Sequence, residues 1–384
     1  MAEFDVIVVG AGPAGSTAAR ELAAAGARVL LLDRATFPRY KPCGGGIPLR
    51  TARLLPFPLD GVVEDRVSLL DVSYRGRWRF LRDSGEPFAF MVMRDRFDAL
   101  LVEHARAAGA EFRPGTRVEE AGEDSRGVFV RSGSFRARGR FLIGSDGANS
   151  RVARAVGLGH GCDECAAWEL ELSIPADRWR ARAIIELGYS PWGYGWLFPK
   201  ASGASVGLLL PAGASKSLRA EGERLLGRLG LEHAEVAIAQ GHKIRLRRQG
   251  VPIASERVAL AGDAAGMADA FVEEGIAYAI ESGRLAAKAA LRALGTSGTM
   301  RPYESDVDRE IQPELDAART IAYMFYGVLR RAPGPWLTAA RYAPFLWHAF
   351  FTVMRGESTY AREVERVPLL PSIARRLMER RCRN

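Results

Sequence analysis

Phe4-Asp5-Val6-Ile7-Val8-Val9-Gly10-Ala11-Gly12-Pro13-Ala14-Gly15 decides the fold. Phe4 to Val9 is the apolar run that a strand buried on both faces requires. A pyrophosphate needs a tight turn, a backbone it can approach closely, and a helix N-terminus whose free N–H groups and dipole face the anion. Gly10, Gly12 and Gly15 supply these in order. Ser16 to Ala25 is Ala-rich with Leu22 on its inward side, and Gly26 closes this expected helix. Val29 to Leu32 is then a second buried strand, ending at Asp33. Together they make one complete βαβ unit. Asp33 is placed to accept hydrogen bonds from a ribose, and its carboxylate would repel a 2′-phosphate, which favours FAD or NAD.

A Gly/Pro-rich loop runs from Pro38 to Pro48 and an irregular stretch follows. Arg96 to Ala108 reads as a helix leading to a short strand near Phe112. Val118 to Glu120, Val128 to Arg131 and Phe135 to Arg138 read as a small antiparallel meander, and Phe141 to Ile143 as a separate buried strand. From Ala166 to Arg248 the pattern is strand-rich, with Ala183 to Leu187, Gly193 to Phe198 and Ser205 to Leu210 as candidates. Val258 to Leu260 returns to the first domain, a helix spans Glu273 to Leu294, and the chain after Tyr303 is mostly helical. The expectation is an α/β fold with an α+β substrate domain. A Rossmann-type dinucleotide-binding domain takes residues 1–165 and 249–300, a β-sheet substrate domain 166–248, and a helical region 301–384. No internal repeat is evident.

The chain has 384 residues, 48% hydrophobic and 26% charged, an ordinary globular composition. Its net charge of +9 concentrates in the tail, where seven Arg stand against three Glu between Ala361 and Asn384. No basic segment is interleaved with aromatics in the manner of a nucleic-acid surface, so nucleic acid is not expected as a partner. Four cysteines are too few for a disulfide framework, and no secretory leader precedes the first strand, which points to a reducing cytoplasm. Cys162 and Cys165 form a lone CxxC without further ligands at zinc spacing and read as two loop thiols. The five histidines show no HxxxH or HExxH spacing, so no metal is expected.

Phe141-Leu142-Ile143-Gly144-Ser145-Asp146-Gly147 resembles the DG motif of flavoprotein hydroxylase-type enzymes, and Leu260-Ala261-Gly262-Asp263-Ala264-Ala265-Gly266 resembles their GD motif. Three motifs in that order imply FAD. The resemblance implies that Asp263 meets the ribityl chain, that Gly275 and Ile276 face the pyrimidine edge and phosphates, that Arg94 reaches the phosphates, and that Val118 lies by the adenine. It also assigns Ala14, Arg34, Asp146, Gly44 and Gly46 to the cofactor. Two further stretches, Lys41-Pro42-Cys43-Gly44-Gly45-Gly46 and Tyr194-Gly195-Trp196-Leu197-Phe198-Pro199, resemble the geranylgeranyl reductase family, which saturates isoprenoid double bonds. On that resemblance Tyr194, Trp196, Phe198 and Pro199 line the isoprenoid tunnel. The chain departs from the usual family form at Ala270, where proline is common, and at Glu273, where glycine is common.

If Gly193 to Phe198 is a strand, Tyr194, Trp196 and Phe198 share one face, a wall that serves either a hydrocarbon chain or the domain core. An isolated alkene has no carbonyl to polarise, so its reduction takes a hydride from flavin N5 on one carbon and a proton on the other. Cys43, among glycines, is the candidate proton donor and also a candidate cofactor neighbour. A flavin monooxygenase, either a hydroxylase or a halogenase, shares the three FAD motifs and is the alternative. An electron-transfer flavoprotein passing electrons to quinone, and a non-catalytic FAD-dependent regulator, are further ones. No second nucleotide fingerprint is present, so the external reductant is NAD(P)H bound without a Rossmann site, or reduced ferredoxin as an electron-donor protein. Pro344 to Met354 is an apolar run too short to span a bilayer. It reads as a buried helix or, joined to Arg375, Arg376, Arg380, Arg381 and Arg383, as a peripheral anchor on the inner face of the membrane.

Overall fold

The computed structural model describes residues 3–190, 192–211, 218–296 and 298–367. The basic tail from Arg375 to Arg383 lies outside them. The chain divides into two compact units, one of Met1–Tyr40, Asp95–Asp163 and Ile244–Leu315, the other of Lys41–Arg94, Glu164–Lys243 and the chain from Asp316.

In the first unit the sheet runs in the order Glu111–Arg113, Val29–Leu32, Phe4–Val9, Phe135–Gly144, Gly127–Ser132, Glu120–Asp124, with Val258–Leu260 also paired to Phe135–Gly144. Ile7, Val8, Leu30, Leu31, Leu142 and Ile143 are wholly buried, as strands covered on both faces must be. Phe135–Gly144 is one strand of ten residues rather than the two expected. Its first half pairs antiparallel with Gly127–Ser132 and its second half parallel with Phe4–Val9, so one strand serves both the meander and the parallel sheet. The meander's other strand is Glu120–Asp124, which leaves Val118 buried in the loop before it. The first helix spans Pro13–Ala24, starting three residues earlier than the reading from Ser16. Proline suits that first turn because its missing N–H would be unpaired there anyway. Arg94–Ala107 likewise begins earlier than expected, and the long helix Ile276–Thr296 later.

The second unit holds the larger substrate-type sheet, in the order Glu235–Leu246, Asp163–Ser173, Gly203–Pro211, Gly193–Lys200, Arg182–Ser190, Leu69–Tyr74, Trp78–Asp83. Residues 63–92 are not irregular; they hold four strands. Trp78-Arg-Phe-Leu-Arg-Asp carries charges along an edge strand, which breaks the apolar pattern a sequence reading relies on. Leu69–Tyr74 pairs in parallel with Arg182–Ser190, so residues 41–94 group with this sheet rather than with the first unit. Leu170, Leu172, Leu197, Val206 and Leu208 fill one face, against Leu225 and Leu226 of the helix Leu218–Leu229. Gly46–Pro48, Ala89–Val92 and Val63–Val67 form a small third sheet.

Pro344–Arg355 is a helix with one buried side and an exposed start. Phe351, Val353 and Met354 are buried, with Phe351 packed on Phe88 at 5.0 Å between ring centroids, while Phe345 and Leu346 are exposed. Among the described residues no helix is long and apolar enough to cross a membrane.

Candidate functional site

The three glycine-bearing motifs converge in the first unit. Gly10 adopts φ +99°, and a Cβ there would lie 2.2 Å from the carbonyl oxygen of Ser145 and 2.8 Å from Cα of Asp146. Ser145 Oγ donates to the carbonyls of Val9 and Gly10, tying the second motif to the first. A Cβ on Gly15 would lie 1.8 Å from the Gly10 carbonyl oxygen, and one on Gly262 2.9 Å from Cβ of Ala14. These glycines permit backbone packing. Gly12 differs, because a Cβ there would find only Arg39 Nη2, 4.0 Å away. Its backbone opens onto space at the start of Pro13–Ala24, a helix with no side-chain cap and no acid in its first turn. The helix N-terminus keeps its donors for an anion.

Asp33 is held at both oxygens, Oδ2 accepting from the amide of Ala11 and Oδ1 from that of Ala35, each at 2.8 Å. Arg39, which the sequence reading missed, forms an ion pair of 2.8 Å with the wholly buried Asp98. Its Nη1 is buried with no hydrogen-bond partner among the described residues. An arginine fixed by a buried acid beside an open glycine, with a donor to spare, suits a pyrophosphate. Of the arginines chosen from sequence, Arg34 is exposed, and Arg94 is buried at the start of its helix rather than solvated. No motif marks Arg39; it follows Pro38 in a loop, and only the fold brings it to Gly12.

Asp263 is partly exposed on the turn Gly262–Ala265, and a Cβ on Gly275 would lie 3.8 Å from its Oδ1. Ile276 opens the following helix, where Glu274 accepts from the amide of Ala277 at 2.8 Å. Glu273 takes φ +52°, so this chain keeps the left-handed backbone that glycine favours at the position where the family commonly has one. Asp146 caps the helix Arg151–Val156, accepting from Ser150 Oγ and from the amides of Arg151 and Val152. Burial pushes its carboxyl up, against those hydrogen bonds. Open glycine, uncapped helix, anchored acid and spare guanidinium donor together fit the ribose and pyrophosphate of a dinucleotide such as FAD.

The second unit joins the two family-specific stretches. Tyr194, Trp196 and Phe198 stand in a row, with ring centroids 5.6 and 6.3 Å apart. Against them pack the glycines beside Cys43: a Cβ on Gly44 would lie 2.7 Å from Phe198 Cδ2 and 2.8 Å from Trp196 Nε1, and one on Gly46 3.4 Å from Phe198 Cε2. Pro199 is buried beside the row, and Cys43 is a half-buried free thiol whose sulfur accepts from the amide of Gly45 at 3.4 Å. Lys200 Nζ donates to the carbonyls of Gly44 at 2.7 Å and Val92 at 3.0 Å, pinning the turn. Two buried acids share this neighbourhood. Glu171 accepts from Ser205 Oγ at 2.6 Å, and Glu169 from Trp196 Nε1 at 3.4 Å. Burial, then the neighbouring Cys43 and Glu171, push the Glu169 carboxyl well above the usual range, and burial lowers Lys200 against the pull of both acids. Cys162 lies in a loop, whereas Cys165 belongs to the strand Asp163–Ser173.

A model of the FAD binding domain family matches residues 3–191. The chain is 36% identical over 305 residues to a geranylgeranyl diphosphate reductase of Rhodobacter capsulatus, covering 76% of each. The chain belongs to the geranylgeranyl reductase family. Its members among the relatives include digeranylgeranylglycerophospholipid reductase 1 of Methanopyrus kandleri, 30% identical over 84% of this chain and 90% of that one. A solved structure from Thermoplasma acidophilum, described as geranylgeranyl bacteriochlorophyll reductase-like, shares the fold with a TM-score of 0.72. It is 23% identical and covers 83% of this chain and 87% of its own. As a geranylgeranyl reductase family member, this protein is an FAD-dependent oxidoreductase.

Proposed function

We propose that this geranylgeranyl reductase family protein saturates carbon–carbon double bonds in the prenyl chain of a lipid. The observation that carries the reading is the row Tyr194, Trp196 and Phe198 packed against the turn that bears Cys43. In this reading the row is a wall for hydrocarbon, and the thiol beside it gives a proton to one alkene carbon. Bound and reduced, FAD supplies the hydride for the other carbon. Gly12, Asp33, Arg39, Arg94, Asp263 and the Gly275 turn hold that cofactor, and NAD(P)H or reduced ferredoxin re-reduces it. The substrate is collected at a membrane surface by the exposed end of Pro344–Arg355, from the cytoplasmic side.

The test is anaerobic. Flavin reduced in the full chain should be reoxidised by geranylgeranyl diphosphate without oxygen, and an aromatic substrate should leave it reduced. Reoxidation that requires oxygen and an aromatic substrate would overturn the reading in favour of a monooxygenase. Cys43→Ala should keep its FAD and slow the anaerobic reoxidation by about a hundredfold, the usual weight of a positioned proton donor. An unchanged rate would remove Cys43 from that role.

A further inference from the structure

Strand register places both acids on the aromatic face. Glu169 lies opposite Gly207, which lies opposite Trp196; Glu171 lies opposite Ser205, which lies opposite Phe198. Residues directly opposite each other share a face. Glu169 and Glu171 therefore stand with Trp196, Phe198 and Lys200, while Leu170 and Leu172 fill the core on the other face. Gly207 has no side chain, and a Cβ there would lie 2.3 Å from Trp196 Cζ2, so the indole crosses that gap to reach Glu169. The same indole nitrogen abuts Gly44, the neighbour of Cys43. One indole thus links the buried acid to the cysteine turn.

Charge decides what state the acid takes. Glu169, Glu171 and Lys200 are all buried, and after the two acids the groups acting on Lys200 are Cys43 and then Asp65. Two carboxylates with one ammonium would leave net negative charge in a low dielectric, whereas one retained proton neutralises the group. Glu171 accepts a short bond from Ser205, which favours its anion; the bond from Trp196 to Glu169 is long and does so less. The proton therefore belongs on Glu169.

We propose that Glu169 is the proton reserve of the reaction, acting through Cys43, an inference that rests on the prenyl reduction proposed above. As hydride reaches one alkene carbon, the Cys43 S–H bond breaks and its proton goes to the other carbon, leaving a thiolate. The Glu169 O–H then breaks and the thiolate takes that proton. The resulting carboxylate is countered by the Lys200 ammonium until a solvent proton restores it.

The FAD-loaded full chain and its Glu169→Gln variant test this in two ways. Infrared difference spectra between them at neutral pH should contain the D2O-sensitive carbonyl band of a buried neutral carboxylic acid, present only with Glu169. Its absence from wild type overturns the proposal whatever the substrate is. With geranylgeranyl diphosphate and dithionite, the variant should complete its first turnover at the wild-type rate and later ones at least about tenfold more slowly. Equal rates throughout, or an equally slowed first turnover, also overturn it. Should wild type not turn over at all, prenyl reduction fails while the infrared band still decides the protonation of Glu169. Trp196→Phe serves if the glutamine variant does not fold: loss of the indole donor should let the band persist to higher pH than in wild type, and an unmoved band counts against the link.

Discussion

Gly12 and Gly15 belong to one motif and do different work, and the difference can be measured. A Cβ on Gly15 would overlap the Gly10 carbonyl at 1.8 Å, so Gly15→Ala should destabilise the first unit by at least the roughly 1–3 kcal/mol of an overpacked core. A Cβ on Gly12 meets no protein atom closer than 4.0 Å, so Gly12→Ala should fold. It should nevertheless lose FAD affinity by at least about tenfold, which is about 1.4 kcal/mol, because the methyl occupies the anion's approach. Thermal melts of the two apoproteins, with flavin fluorescence titration of whichever folds, separate the cases; equal melting and equal FAD binding would sink the argument. The spacing of the glycines was legible in the sequence because a dinucleotide-binding turn places them at fixed offsets between a strand and a helix. Arg39 was not, because its place beside Gly12 depends on a buried ion pair with Asp98, fifty-nine positions along the numbering.

At the scale of the strand, period-2 patterning announced the aromatic row but concealed what stands next to it. Glu169-Leu170-Glu171-Leu172 alternates charge and leucine, the usual sign of a sheet with one face in water. Here the charged face is buried instead, because the Cys43 turn, pinned by Lys200, packs onto Gly193–Lys200, two strands over in the same sheet. Local pattern cannot announce a loop whose Cys43 lies 126 positions before Glu169. The same limit hid Leu69–Tyr74, whose parallel partner Arg182–Ser190 comes from much later in the chain. Gly207 is the hinge of this packing. Gly207→Ala would set a Cβ 2.3 Å from the Trp196 ring and 2.7 Å from the Trp168 carbonyl. The variant should lose roughly 1–3 kcal/mol of stability and most prenyl turnover. It should keep its flavin absorbance, since none of the dinucleotide motifs belongs to this strand. A variant with wild-type melting and turnover would show that the indole does not need the gap.

For the molecule as a whole, a net charge of +9 and an exposed apolar end of a helix point to the same kind of surface. Tyr342, Phe345 and Leu346 are 73%, 68% and 46% exposed on consecutive helices, a cluster of large apolar groups that water disfavours. Arg330, Arg331 and Arg341 are exposed on the same helices or the one before them. Apolar insertion beside basic residues makes a reversible interfacial anchor, with each arginine near an anionic surface worth about 1 kcal/mol. A lipid-reducing enzyme would find its substrate there. Replacing Phe345 and Leu346 together by serine removes the insertion without touching the buried side, so melting should change little, as for most exposed substitutions. Binding to anionic liposomes at low salt should fall in that variant, and also on truncation after Pro371, which removes five of the tail's arginines. Wild-type binding should weaken as salt rises, because screening shortens the reach of the charges. Co-sedimentation equally poor with anionic and neutral liposomes at low salt would assign the exposed end of Pro344–Arg355 to some partner other than a membrane.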